Sequence, residues 1–187
     1  MGRAVRHVEW SPSRRDERTV EKPMVSIEFC LRQTLENVRK DRAVQFLTDQ
    51  FPHPKYGSLN DIVAMDDSFW EQSHDFIQWV FPLNEKSRSN RNAPILGEED
   101  IRMIKLSPLA EENLGRAVIR YKQFLTNNSN WRKGYDHNHP RISRVIKCLR
   151  LVVGDGSADS FKHWLAGELG DAIDKVHPDA RKHWRLA

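Results

Sequence analysis

Two groups of side chains in this sequence have the types that site chemistry needs: the carboxylates Asp66, Asp67, Glu71 and Asp75, and the histidine pair His137 and His139, with His53, His74, His163 and His177 elsewhere. Paired carboxylates do acid and base work when they face each other across a cleft, and linear spacing does not establish that. The simpler reading makes Asp66 or Asp67 a helix cap and leaves Glu71 and Asp75 as a solvated or ion-paired strip. The H-x-H pair has no further ligands at zinc-site spacing, no HExxH is present, and neither Cys30 nor Cys148 joins a cluster. No metal and no cofactor are expected on that pattern. No P-loop, Rossmann fingerprint or GxSxG elbow occurs, so an enzyme built on an acidic cleft is an alternative without a supporting motif. His74 has no nucleophile pattern beside it and reads as a hydrogen-bonded core histidine.

A second chemistry is written in cations and aromatics. Arg141, Arg144, Lys147 and Arg150 recur on one side of a helical pattern, and Trp131, Arg132, Lys133 and Tyr135 stand just upstream. Guanidinium groups mixed with aromatics suit anions, acidic peptides or single-stranded nucleic acid. The competing reading is internal, with Arg141 or Arg144 pairing with Glu71 or Asp75, because a buried acid needs a partner.

These residues must be positioned by helices, since no alternating β-pattern of useful length appears. The stretch Phe69–Leu83 is the densest apolar block; on one helix it would place Trp70, His74, Ile77 and Phe81 on a single face and end before Pro82. Apolar over most of its circumference, it predicts a buried central helix. Around it the periodicity predicts a helix from Ser26 through Val38, a piece carrying Val44, Phe46 and Leu47, and a short turn at Ile62–Met65. A short helix follows Gly97. Ser107-Pro108 signals the start of a clean amphipathic helix carrying Leu114, Ala117, Val118, Tyr121, Phe124 and Leu125. Asn127–His139 reads as a polar loop, Pro140 restarts a helix, Ser157 reads as the cap of the last long helix, and Gly167 or Gly170 ends it. Pro178–Ala187 adds a turn that packs Trp184.

The chain has 187 residues, enough for one domain with a substantial core. Residues 1–24 read as a flexible basic tail and 25–187 as a single helical domain; Met24 is an alternative start. Thirty basic residues stand against 26 acidic ones, a net charge of +4, which is a modest excess for a general nucleic-acid binder. With no apolar run near membrane-span length and no secretory signal, a cytoplasmic location is expected, and two cysteines without CxxC spacing read as reduced thiols.

Three blocks carry a resemblance. HDFIQWVFPL (His74–Leu83), the segment from Ala93 to Asp100, and HNHPRISRVIKCLRLV (His137–Val152) resemble, in order and spacing, the conserved domain of the opioid growth factor receptor family, including its shorter microbial relatives. The resemblance spans about residues 41–170. It implies an all-helical domain and, for animal members, a receptor for an enkephalin peptide associated with the nucleus and its membrane; this chain shows no bipartite nuclear signal.

The combined expectation is an all-α, single-domain irregular helical bundle packed around a central buried helix, acting as a non-enzymatic binding or regulatory protein for a peptide or small anionic ligand. The candidate ligand-binding residues are His74, Gln78, Trp79, Trp131, Arg141 and Arg144. A nucleic-acid-binding module on the same basic helix and tail is the first alternative.

Overall fold

The structure, a computed structural model, describes residues 42–187. The expected basic tail, the Met24 start, the helix from Ser26 to Val38 and Cys30 lie outside the described residues. Every regular element among those described is helical, and the only extended pairings among them are the isolated bridges His53–Gly57, Leu83–Ile95 and Gly134–Val176. The protein is all-α.

A helical stretch at residues 42–47 leads, through a loop, into three short helices, α1 (Leu59–Ala64), α2 (Asp67–Gln72) and α3 (Ile77–Val80). Their starts are local chemistry. Ser58 and Asp61 form a capping box on α1, with Asp61 N donating to Ser58 Oγ at 3.1 Å and Ser58 N to Asp61 Oδ2 at 2.7 Å. Gly57 precedes it at φ +83°, and a Cβ there would meet Asp61 Oδ2 at 2.4 Å, so only glycine fits both the turn and the cap. Asp66 caps α2 by accepting from Phe69 N at 2.8 Å.

The longer helices follow their own stripes. After α4 (Glu98–Leu106), Ser107 accepts from Ala110 N and Pro108 occupies the first position of α5 (Pro108–Asn127). The α5 residues Leu114, Ala117, Tyr121, Phe124 and Leu125 are all buried. In α6 (Asn138–Val152) the buried apolar set is Ile142, Val145, Ile146, Cys148, Leu149 and Val152; in α7 (Asp155–Leu169) it is Ala158, Phe161, Leu165 and Leu169. Gly170, at φ +45°, ends α7 as the glycine signal predicts, whereas its start is capped at Gly154 and Ser157 lies inside the helix. A 3-10 turn, Gly170–Lys175, joins α7 to α8 (Pro178–Leu186), whose Trp184 donates from Nε1 to His139 O at 3.1 Å.

At the centre the rings of Trp70, Phe76, Phe81, Tyr121, Phe124 and Phe161 pack with centroid separations of 4.9 to 6.5 Å. The expected central helix is therefore at the core, but it is not one helix. It breaks after Gln72 and resumes at Ile77, with Ser73 at ψ 136°. In an unbroken helix the Trp70 carbonyl would accept from the His74 N–H and the Ser73 carbonyl from the Ile77 N–H. Here Arg141 of α6 takes both carbonyls, from Nη1 to Trp70 O at 2.5 Å and from Nη2 to Ser73 O at 2.6 Å. The Asp75 carbonyl likewise accepts from Asn90 Nδ2 at 3.0 Å. Side-chain donors from distant segments, one of them a guanidinium, replace the helix ladder.

Candidate functional site

Each of the three short helices ends on an arginine from a long helix. Arg120 of α5 donates through Nε and Nη2 to Met65 O, the carbonyl at the end of α1, at 3.2 and 2.9 Å. Arg141 holds the end of α2, and Arg144 donates to Phe81 O at the end of α3 at 3.1 Å. The last carbonyls of a helix have no partner within it and carry the negative end of its dipole, so a guanidinium satisfies both deficits at once. Helices of four to six residues have little stability of their own, and three fixed cations at their ends make up part of it.

This assigns the candidate residues. Arg141 is 6 % exposed and, besides the two carbonyls, donates to Asn138 Oδ1 at 3.1 Å and to His74 Nδ1 at 2.7 Å. The expected pairing with Glu71 or Asp75 is corrected: Arg141 does lock α6 to the central segment, but through carbonyls. Glu71 accepts instead from Asn128 Nδ2 at 2.7 Å and Asn138 Nδ2 at 3.1 Å, and faces His137 Nε2 at 3.5 Å. Burial, which disfavours the charged form, depresses both the Arg141 and the Arg144 guanidinium pKa from the ordinary range. Along the rest of α6, Lys147 pairs with Glu85 at 2.9 Å and Arg150 with Asp155 and Asp159 at 3.0 Å. The basic stripe is engaged with internal partners at every position.

His74 is exposed rather than a core histidine, because the break turns it outward. Its Nδ1 accepts from Arg141, and its pKa is lowered by burial of the ring's inner edge and then by the Arg141 and His137 charges. His139, by contrast, is buried: Nδ1 accepts from Asp136 N at 3.3 Å and Nε2 then donates to Trp131 O at 2.7 Å, which fixes the orientation of the ring. The H-x-H pair thus diverges, one ring inside and the other beside Glu71. No group of three or more metal-ligating side chains occurs among the described residues. Trp131, expected in a polar loop, is fully buried on a 3-10 turn, Asn130–Arg132, with its indole donating to Leu125 O at 2.8 Å. Gln78 is buried and spans Ser89 Oγ and the turn carbonyls of His74 and Asp75 when its amide is oriented to satisfy both ends.

The four carboxylates also separate. Asp66 is the α2 cap, and Asp75 accepts from the Tyr56 hydroxyl at 2.7 Å. Asp67 pairs with Arg120 at 2.7 Å and accepts from Asn127 at 2.8 Å. Burial works to raise the Asp67 carboxyl, but the Asn127 and Arg120 hydrogen bonds together with the Arg120 charge outweigh it, and the net shift is downward. That is the opposite of what a general acid requires.

Trp79 is the candidate that borders an open recess. It forms one wall of a recess of about 340 Å³ lined also by Arg42, His53, Lys55, Asp75, Asn90 and Asn92. The floor is aromatic, with Trp79 edge-on to Phe46 and His53, and His53 stacked on Tyr56 at 4.8 Å. His53 Nδ1 accepts from the Lys55 and Tyr56 N–H groups, and burial, partly offset by the Asp75 charge, lowers its pKa. Lys55 Nζ donates to Tyr56 Oη at 2.7 Å, which passes its own proton toward Asp75 Oδ1, so cation, phenol and carboxylate form a chain along the rim. Two cations, two amides and one carboxylate over rings can hold a ligand with separated charges, and the volume lies in the range of small-ligand pockets. Sequence patterns missed Arg42, His53, Lys55, Asn90 and Asn92, which sit in or beside segments read as connecting loops. The alternation of His53 and Lys55 around Pro54 was the one available signal.

Residues 55–127 match the family model of the opioid growth factor receptor (OGFr) conserved region. The match takes in most of the recess and the two blocks His74–Leu83 and Ala93–Asp100, and ends before the block at His137–Val152. No curated protein and no solved structure matches the chain. Among the described residues no helix is long and apolar enough to cross a membrane.

Proposed function

From a chain that carries the opioid growth factor receptor conserved region, we propose a non-enzymatic binding protein that takes a short peptide, through its anionic end, in the recess beside Trp79. The supporting observation is the placement of Arg42 and Lys55 on one recess with the Asn90 and Asn92 amides and the Trp79 and His53 rings. The cations suit a terminal or side-chain carboxylate, the amides a peptide backbone, and the rings an apolar side chain. Of the sequence candidates, Trp79 contacts the ligand in this reading, while Gln78, Arg141 and Arg144 hold the wall in place and Trp131 belongs to the core.

Calorimetric titration with an enkephalin pentapeptide, its C-terminal amide and a panel of unrelated pentapeptides tests this. Binding of at least one free-acid peptide is expected, weakened about tenfold or more by Arg42→Ala or Lys55→Ala and by C-terminal amidation. Tyr135→Ala, at an exposed position outside the recess, leaves it unchanged. Absence of binding across the panel, or affinity indifferent to Arg42 and Lys55, overturns the reading.

A further inference from the structure

A second concavity lies outside the matched region, between the C-terminal half of α7 and α8, with a volume of about 470 Å³. Its floor is apolar: Leu165 and Leu169 from α7, Ile173 from the 3-10 turn and Trp184 from α8. Its walls are cationic, with Lys162 on α7 and Arg181 and Arg185 on α8, and the described residues that line it include no carboxylate. Arg181 and Arg185 are four apart and so stand one helical turn from each other on the same face. Lys162 stands 3.5 Å from Asp159, Arg181 donates from Nη1 to the exposed Asp174 at 2.8 Å, and Arg185 has no ion-pair partner among the described residues. The Arg181 Nε is buried without a hydrogen-bond acceptor among the described residues. An unmet donor and three cations around an apolar trough leave a specific deficit of negative charge.

We propose that this groove is a docking site for an acidic amphipathic helix of a partner protein, whose apolar stripe covers Leu165, Leu169, Ile173 and Trp184 while acidic residues on its flanks pair with Lys162, Arg181 and Arg185. The helix-in-groove mode requires an open trough that accepts one apolar face, and charges on both walls select the sign and orientation of the flanks. The +4 net charge of the chain disfavours a second copy as the occupant and adds long-range attraction for an acidic partner.

The test uses fluorescein-labelled 18-residue peptides with leucines at helical spacing and flanking glutamates, alongside the same peptide with lysines in their place and a scrambled glutamate peptide. Fluorescence anisotropy is read on the full chain at low and physiological salt. The glutamate peptide is expected to bind and the lysine and scrambled peptides to bind at least tenfold more weakly. Ala166 is exposed on the groove wall, so Ala166→Arg blocks the trough while adding a positive charge, and a loss of binding then reports the trough rather than the charge. That variant, and separately R181E with R185E, should each weaken binding tenfold or more with the circular-dichroism melt unchanged. The proposal is overturned if no glutamate peptide binds, if the scrambled peptide binds equally, or if Ala166→Arg has no effect. It is also overturned if light scattering shows a self-association that Ala166→Arg abolishes, or if anionic lipid vesicles bind the groove and the peptides do not.

Discussion

Residues 59–83 and residues 107–169 solve the same problem, placing apolar rings in one core, by different means. The second region does it with long helices that carry their own start signals and stripes: Ser107-Pro108 opens α5, five of its apolar residues are buried on one face, and Gly170 closes α7. The first is three helices of four to six residues whose ends are completed by Arg120, Arg141 and Arg144 reaching in from that second region. One region is organised by hydrophobic periodicity and the other by donors supplied from elsewhere. Short helices gain from the arrangement a sharp change of direction at Ser73–Asp75, and that turn puts Asp75 and Trp79 on the recess.

Removing the donor at the break should therefore cost more than removing packing from a stripe. Arg141→Ala deprives the Trp70 and Ser73 carbonyls of their charged donor and is expected to lose about 3 to 5 kcal/mol in urea unfolding. Arg141→Lys, which lacks the fork, should restore less than half. Hydrogen exchange should rise first across residues 67–81 while α5 stays protected; uniform loss of protection would erase the contrast between the regions. Leu114→Ala, a cavity in the α5 stripe, comes next at roughly 2 to 4 kcal/mol, and its effect should be global. Arg144→Ala removes one charge-assisted bond, to Phe81 O, and should cost about 1.5 kcal/mol by the same measurement.

Acid provides a gentler probe of the first region and of the loop before it. His53 and His74 both have pKa values lowered in the folded state, with burial the leading cause at each. Below the ordinary histidine value of about 6.5 the unfolded chain binds protons that the folded one does not, so stability is full above that pH and declines as the pH falls toward the lowered folded values. Protonated His74 also has no lone pair on Nδ1 for Arg141. Melting followed from pH 7.5 to 5 should show this decline, and His74→Ala should flatten part of it; an unchanged pH profile would separate His74 from the Arg141 clamp. The smallest effect is expected in the stripe itself. The Tyr121 hydroxyl is fully buried without a partner among the described residues, and burial raises its pKa, so Tyr121→Phe should be neutral or stabilise by up to about 1 kcal/mol.

By itself the sequence determined the all-α class, the cap at Ser107 and the inward face of α5 and most of α6, and it narrowed the cap of α2 to Asp66 or Asp67 and the end of α7 to Gly167 or Gly170. These are legible because a cap or an apolar stripe depends on residues within a few positions of one another. The tertiary structure alone decided that Phe69–Leu83 is two helices with a turn between them. Local periodicity favours continuity there, and the break exists because Arg141, 68 residues beyond Ser73, takes the carbonyl the helix would have used. It also decided that Trp131 and Arg141 are interior, and that Arg42, His53, Lys55, Asp75, Trp79 and Asn90 meet around one recess. A guanidinium four bonds of reach from its backbone reads the same in sequence whether it faces water or a carbonyl; only the packing of α6 on the central segment tells them apart.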